Sequence, residues 1–209
     1  VESARTLAVI PHERRILHVL PREFMVDDQE GVREPLGMSG NRLEVNVHVI
    51  TGAVTSAQNI IKSVNRAGLD VVDIILQPLA SSEAVLSAEE RELGVAMVDL
   101  GGGTTDLAIF LDGSIRHTAV LPIGGQNLTK DLAIGLLTSQ TDAEKIKVQH
   151  GIARTELVHG HQMVEVPSVG DRPPRQFTRR DIAEILEPRV EEMFDLVKRE
   201  IVRAGYEGM

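Results

Sequence analysis

Apolar positions along the chain switch between a period of two and a period near 3.6, and the switches mark its elements. Ile16 to Asp27 alternates loosely, with Ile16, Val19, Phe24 and Val26 apolar and Arg22 and Glu23 outward, which predicts a strand. Leu43 to Val49 alternates strictly and predicts a half-buried strand with His48 on its solvated side. Between them, Gln29 to Arg42 holds Gly31, Pro35, Gly37 and Gly40 and reads as a loop. Thr55 or Ser56 then caps a helix with Ile60, Ile61 and Val64 as its stripe and Gly68 as its stop. Together these make a small α+β module. Val71 to Leu76 reads as a buried strand ending at Gln77-Pro78, and Leu79 to Leu93 as one helix.

Three strands follow, Val95 to Leu100, Thr105 to Leu111 and Ser114 to Pro122, with Asp112-Gly113 as a hairpin turn. Helices are expected from about Asn127 to Leu137 and from Thr141 to His150, the second opening on a capping-box spacing from Thr141 to Glu144. Arg154 to Val166 is weaker strand-like sequence and Ser168 to Arg175 a Pro/Gly loop. Thr178 caps a helix Arg179 to Glu187; Pro188 breaks or kinks it before a longer amphipathic helix to about Ala204. Val190, Met193, Phe194, Val197 and Ile201 give that helix its apolar stripe.

Composition narrows the function. With 209 residues and 42% hydrophobic content, the chain can bury a sizeable core in one or two domains. A net charge of -9 argues against a nucleic-acid surface, which needs a basic patch. Aromatics at 2%, with no Trp, provide no stacking platform for single strands. The absence of Cys excludes disulfides and thiolate chemistry. No stretch has the length of a membrane span and no signal peptide is evident, so a cytoplasmic protein is the simplest fit. The first residue is Val and the chain stops at Gly208-Met209 after a helical pattern, which reads as a piece of something longer.

The chemistry concentrates where the strand Val95 to Leu100 runs into Gly101-Gly102-Gly103-Thr104-Thr105-Asp106. Three residues without Cβ let another object approach the main chain closely. Their N–H groups and the hydroxyls of Thr104 and Thr105 can form a concave donor surface for phosphate oxygens. Asp99, at the strand end, would sit beside those phosphates and hold Mg²⁺ through its waters. His159-Gly160-His161 lacks a third ligand at suitable spacing and reads as a loop pair.

The D-x-G-x-G-T-T-D arrangement resembles the second phosphate loop of the actin, heat-shock chaperone and sugar kinase superfamily. Further stretches resemble the FtsA family of actin-like cell-division ATPases: His18-Val19-Leu20-Pro21, Asp28-Gln29-Glu30-Gly31, Pro35-Leu36-Gly37-Met38-Ser39-Gly40, Val49-Ile50-Thr51-Gly52-Ala53, Gln77-Pro78-Leu79-Ala80-Ser81-Ser82, Pro122-Ile123-Gly124-Gly125 and Ile185-Leu186-Glu187-Pro188-Arg189. The resemblance implies an α/β actin-like, ribonuclease H-like ATPase lobe with a small inserted α+β subdomain. Residues 1–72 would be the insert, 73–94 a strand–helix connection of the first lobe, and 95–209 the second lobe with its own insertion around 138–180. The family's first phosphate loop, adenosine loop and C-terminal amphipathic membrane helix have no counterpart here, so the expected nucleotide site is half a site that binds ATP poorly alone.

By the same resemblance, Asp99 orients Mg²⁺-bound water and Gly101, Gly102, Gly103, Thr104 and Thr105 hold the β- and γ-phosphates of ATP. Gly124 and Gly125 line the cleft, and Glu144 and Lys147 match a Glu-x-x-Lys pair that contacts adenosine. Gln77 stands where relatives carry a Gln or Glu that orients the attacking water; a Gln is no strong base, so any hydrolysis should be slow. Arg172 to Arg175, with Arg189 and Glu192, match the surface that receives the acidic and apolar C-terminal tail of FtsZ. The resemblance further implies self-association into filaments at the inner face of the cell membrane at the division site, with no nucleic-acid role. Two relatives on the same fold offer alternatives: the scaffold ATPase of type IV pilus assembly, and a phosphotransferase such as a sugar kinase or exopolyphosphatase. The second needs a catalytic carboxylate where Gln77 stands.

Overall fold

A tight reversal at Asp27, whose φ is 52°, sets the first sheet. The computed structural model describes residue 6 and residues 8–170 and 172–208. Before the reversal runs β1 (Arg14–Val26); after it comes β2 (Gln29–Val32), paired antiparallel with Phe24 opposite Val32. The Asp27 carboxylate accepts the amides of Asn41 (2.9 Å) and Arg42 (2.8 Å), which delivers the chain into β3 (Leu43–Ala53). β3 lies antiparallel on the other side of β1, from Arg14 opposite Ala53 to Val26 opposite Leu43, so the order is β2-β1-β3. Pro21, which has no N–H to donate, sits where the register shifts between Pro21 and Glu23. The expected loop at 29–42 therefore contains a strand, because the Asp27 turn folds it back onto β1.

Several other expectations are corrected in this region. Helix α1 (Val54–Arg66) starts directly from β3 with Ala53 at its N-cap and no side-chain cap, so Thr55 and Ser56 lie inside it. Ala57 is its buried residue, while Ile60 is 56% exposed; Gly68, at φ 81°, follows it as expected. Val71 to Leu76 is not a strand: Val72 is 99% and Ile75 62% exposed, and none of the described strands pairs with it. The single expected helix at 79–93 is two, α2 (Gln77–Val85) and α3 (Ala88–Leu93). The break is made by Ser87, which exchanges hydrogen bonds with Glu90 in a capping box.

The central sheet has the order β4 (Val95–Leu100), β5 (Thr105–Leu111), β6 (Ser114–Leu121). Positive φ at both Asp112 (53°) and Gly113 (72°) makes the expected two-residue hairpin turn. Contacts divide the molecule into two compact units, one of residues up to Val98 with Leu107–Thr118, the other of Asp99–Asp106 with Ala119–Gly208. Met97, Ala108, Phe110 and Ile115 form the core of the first, joined by Leu20, Leu79, Leu86 and Val95. In that unit His48 is half-buried rather than solvated, its Nε2 3.1 Å from the Thr118 hydroxyl.

The second unit packs α4 (Gly125–Gly135), α5 (Gln140–His150) and α6 (Arg179–Arg203) with the antiparallel pair β7 (Met163–Val166) and β8 (Arg175–Thr178). Leu132, Leu136, Ala143, Ile146, Val164, Val166, Ile182 and Leu186 are its core. The cap of α5 is Ser139, which accepts the Asp142 amide, not Thr141; Glu144 has other partners. Of Arg154–Val166 only β7 is strand, preceded by a short 3₁₀ turn at Thr155–Leu157. Thr178 caps α6 through a capping box with Asp181 as expected, and Pro188 does not end the helix.

Candidate functional site

The phosphate-type loop forms because β4 must turn back into β5 within four residues, and glycines let it do so tightly. Gly101 donates its amide to the Thr104 carbonyl (2.9 Å), closing the turn. A second glycine turn locks onto the first: the Gly125 amide bonds the Gly101 carbonyl (2.9 Å) and the Gln126 amide the Gly102 carbonyl (2.7 Å). At Gly124 the two main chains touch, and a Cβ there would stand 2.6 Å from the Gly101 oxygen and 2.8 Å from the Gly102 oxygen. Buried Thr105 donates its hydroxyl to the Ile123 carbonyl (2.8 Å), which joins the turns from below.

Gly102 and Gly103 are exposed at the loop tip, and where their Cβ atoms would project there is only Gln126 Nε2, 4.0 Å from Gly102, and open space at Gly103. An anion can thus reach backbone that any side chain would shield. Thr104 donates its hydroxyl to Asp106 Oδ2 at 3.1 Å. Burial pushes the Asp106 carboxyl above its ordinary value, the Thr104 bond opposes that, and the charge of Asp99 adds to it. Asp99 itself is half-buried near the end of β4.

An open groove of about 530 Å³ continues from Gly102 past Gly125, Gln126, Thr129 and Lys130 to Gln140, Thr141, Glu144 and Lys147. Glu144 and Lys147 pair at 2.7 Å on α5. Lys147 Nζ also donates to the Thr129 hydroxyl (3.0 Å) and the Gly125 carbonyl (3.1 Å), and Thr129 donates to Glu144. Lys147 first and Thr129 second hold the Glu144 carboxyl below its ordinary range. The second unit therefore brings Asp99, Gly101 to Thr105, Gly124, Gly125, Glu144 and Lys147 into one body, whereas Gln77 is exposed at the start of α2 in the first unit.

The arginines named from sequence are engaged within the second unit. Arg175 donates to the carbonyls of Leu136 and Leu137, at the C-terminal end of α4, and to Ser168 Oγ (3.2 Å). Arg189 chelates Asp131 (2.6 and 3.1 Å) and meets Glu192; the Asp131 bond foremost reinforces its charge. Beside Arg175 lies a largely apolar groove of about 580 Å³, lined by Ala133, Leu137, Val169, Arg172 and Pro173, with Arg172 exposed. His159 and His161 are exposed, and among the described residues no group of three His, Cys, Asp or Glu side chains converges to hold a metal. Sequence reasoning quoted Asp106 as the end of the motif without giving it a role, and missed Thr129, since a threonine at that position carries no local signal.

The family model for "Cell division protein FtsA" matches residues 96–208, and the one for "SHS2 domain inserted in FTSA" matches residues 1–51. The chain is 53% identical to the cell division protein FtsA of Pseudomonas aeruginosa over all of its length and 50% of that protein. It is 47% identical to that of Escherichia coli over 97% of this chain and 48% of the relative. Against that of Bacillus subtilis the figures are 42%, 98% and 46%. The chain thus spans about half the length of the curated relatives it matches. Among solved structures, a PilM-PilN type IV pilus biogenesis complex superposes with a TM-score of 0.64 over 96% of this chain and 49% of that chain, at 17% identity. MreB5 of Spiroplasma citri bound to ADP gives 0.52 over 70% and 47% at 22% identity. At such identities the two structures speak for the fold alone, which is actin-like.

Proposed function

The chain belongs to the family of the cell division protein FtsA, and from that premise we propose that it is part of an actin-like division adaptor that binds ATP with Mg²⁺ and links FtsZ filaments to the membrane. The observation that carries the nucleotide reading is the interlocked pair of glycine turns, whose exposed Gly102 and Gly103 leave a backbone cradle that a Cβ would fill. Phosphate oxygens suit that cradle, and Asp99 would hold Mg²⁺ through water at the end of β4. The metal's contribution when bound is neutralisation of phosphate charge. Gln77 is the proposed water-orienting residue, and an amide in that role gives slow hydrolysis, so nucleotide acts chiefly as a switch for assembly.

The partner reading rests on the second unit. An acidic, partly apolar peptide matches the groove at Leu137 and Val169, with exposed Arg172 to pair its carboxylates. Arg175 shapes the groove by holding the end of α4, and the Arg189–Asp131–Glu192 network fixes the face of α4 and α6. Self-association and placement at the inner membrane face belong to the same proposal. Among the described residues no helix is long and apolar enough to cross a membrane.

A labelled FtsZ tail peptide titrated against the protein tests this reading, with Arg172→Glu and Arg189→Glu as variants. Saturable binding that each variant weakens about tenfold or more, as expected when a charged pair is reversed, supports it. A folded protein that shows no binding would sink the adaptor assignment.

A further inference from the structure

Resting on the reading that Gln77 orients the water that attacks ATP, we infer that His18 on β1 is a positioning residue for Gln77. Its imidazole holds the amide of Leu76, the residue from which α2 starts, and so fixes where the Gln77 side chain begins.

A register shift in β1 brings His18 there. Ile16 lies opposite Thr51 and His18 opposite Ile50, so Leu17 is an extra residue on β1. Consecutive residues of β3 point to opposite faces, so the bulge turns His18 off the face of Ile16 and onto that of Ile50, which is 7% exposed. A regular β1 would have kept His18 on the face of Ile16. Gly52 makes room for the bulge: a Cβ there would stand 2.9 Å from Leu17 Cδ1.

From that face, His18 Nε2 accepts the backbone N–H of Leu76 at 3.0 Å. An amide N–H can only donate, so Nε2 is the bare nitrogen of a neutral ring and the proton sits on Nδ1. Leu76 is the N-cap residue of α2, which has no side-chain cap. The Leu76 carbonyl accepts the amides of Leu79 (3.0 Å) and Ala80 (3.2 Å) in the first turn. The residue before Gln77 is thus held from both sides, by β1 through its N–H and by α2 through its C=O. Gln77 is exposed, while Pro78 is buried and Leu79 packs on the core of the first unit. In the segment leading in, the described amide bonds are local, from Leu69 to the Val64 carbonyl (3.3 Å) and from Ile74 to the Asp73 carboxylate (2.7 Å). Val72 and Ile75 in that segment are exposed, so the His18 bond is what sets the direction of Gln77.

The experiment uses the full-length protein as wild type, Q77A, H18L, H18Q and H18L/Q77A. It reads Mg-ATP affinity, the steady-state hydrolysis rate and hydrogen exchange of the Leu76 amide. Glutamine can place Oε1 near the position of Nε2, whereas leucine fills the space without an acceptor. H18L should lower kcat about tenfold and leave the affinity unchanged, because a small misplacement of the water-orienting group is felt in the rate. H18Q should restore the rate, and H18L/Q77A should be no slower than Q77A, because the two side chains act as one unit. The Leu76 amide should exchange about fivefold faster in H18L than in wild type or H18Q, the scale of one hydrogen bond. Wild-type hydrolysis in H18L, no rescue by H18Q, or losses that multiply in the double variant would each overturn the inference. Should H18L fail to fold, H18N takes its place, since its shorter amide cannot reach Leu76. Should wild type hydrolyse no ATP, or Q77A hydrolyse it as wild type does, the reading of Gln77 falls, and exchange at Leu76 alone decides whether His18 sets the start of α2.

Discussion

Two glycines of the same loop system face opposite surroundings, and they separate folding from binding. A Cβ at Gly124 would meet backbone oxygens at 2.6 and 2.8 Å, whereas one at Gly103 would meet nothing within 4 Å. Gly124→Ala should therefore lower stability by about 1–3 kcal/mol, the usual cost of overpacking, seen as a lower thermal midpoint. Gly103→Ala should melt like wild type yet bind Mg-ATP more weakly, because its methyl group occupies the cradle. Equal melting of the two variants would show that the glycine turns are not interlocked in solution. A second residue-scale consequence concerns His48, whose pKa is lowered from 6.5, by burial first and then by the charges of Arg22 and His117. A depressed folded-state value means that below about 6.5 the unfolded chain takes up a proton that the folded one resists. Stability should thus fall as pH drops through and below that value. Denaturant midpoints from about pH 7.5 to 5.5 should decline less steeply in His48→Gln than in wild type; parallel slopes would assign the pH dependence to other groups.

At the scale of elements, local signals were readable where an element carries its own terminus chemistry. The Asp112-Gly113 hairpin and the Thr178 cap of α6 both formed as the sequence pattern implied. Thr178 and Asp181 exchange two bonds, from the Thr178 amide at 2.6 Å and from the Asp181 amide at 3.1 Å. Thr178→Ala should cost about 1 kcal/mol by chemical denaturation, with Thr178→Ser nearly neutral; a silent Thr178→Ala would mean that packing of Ile182 and Leu186 alone holds the first turns. What the pattern could not supply was set by partners distant in sequence. β2 exists because Asp27 folds it onto β1, and α1 needs no side-chain cap because β3 feeds straight into it. The break between α2 and α3 was legible in Ser87-Ala88-Glu89-Glu90, but the apolar period spanning it outweighed that signal. The site divides likewise. Glycines could be read because the backbone geometry needs them, while Thr129 acquires its role only from Lys147 and Glu144 on another helix.

For the whole molecule, the informative mismatch is Val71 to Leu76, an apolar run that reads as a buried strand and yet lies outside any described strand, with Val72 and Ile75 exposed. Leu69 (65% exposed), Val72 (99%) and Ile75 (62%) present apolar surface, and none of the described strands pairs with the segment. An exposed apolar segment of β-type sequence favours association, and the net charge of -9 opposes it only at long range. The 209-residue chain should accordingly self-associate at high concentration, and Val72→Glu with Ile75→Glu should reduce that, read by light scattering, without lowering the thermal midpoint. Scattering unchanged in a folded double variant would place the contact elsewhere. The relatives are about twice as long as this chain, so the same substitutions in the full-length protein make a sharper test. If the segment there completes a sheet, two buried glutamates should destabilise it by several kcal/mol, whereas the shorter chain tolerates them. Equal tolerance in both would mean that Val71 to Leu76 is a connector whose apolar residues serve no sheet.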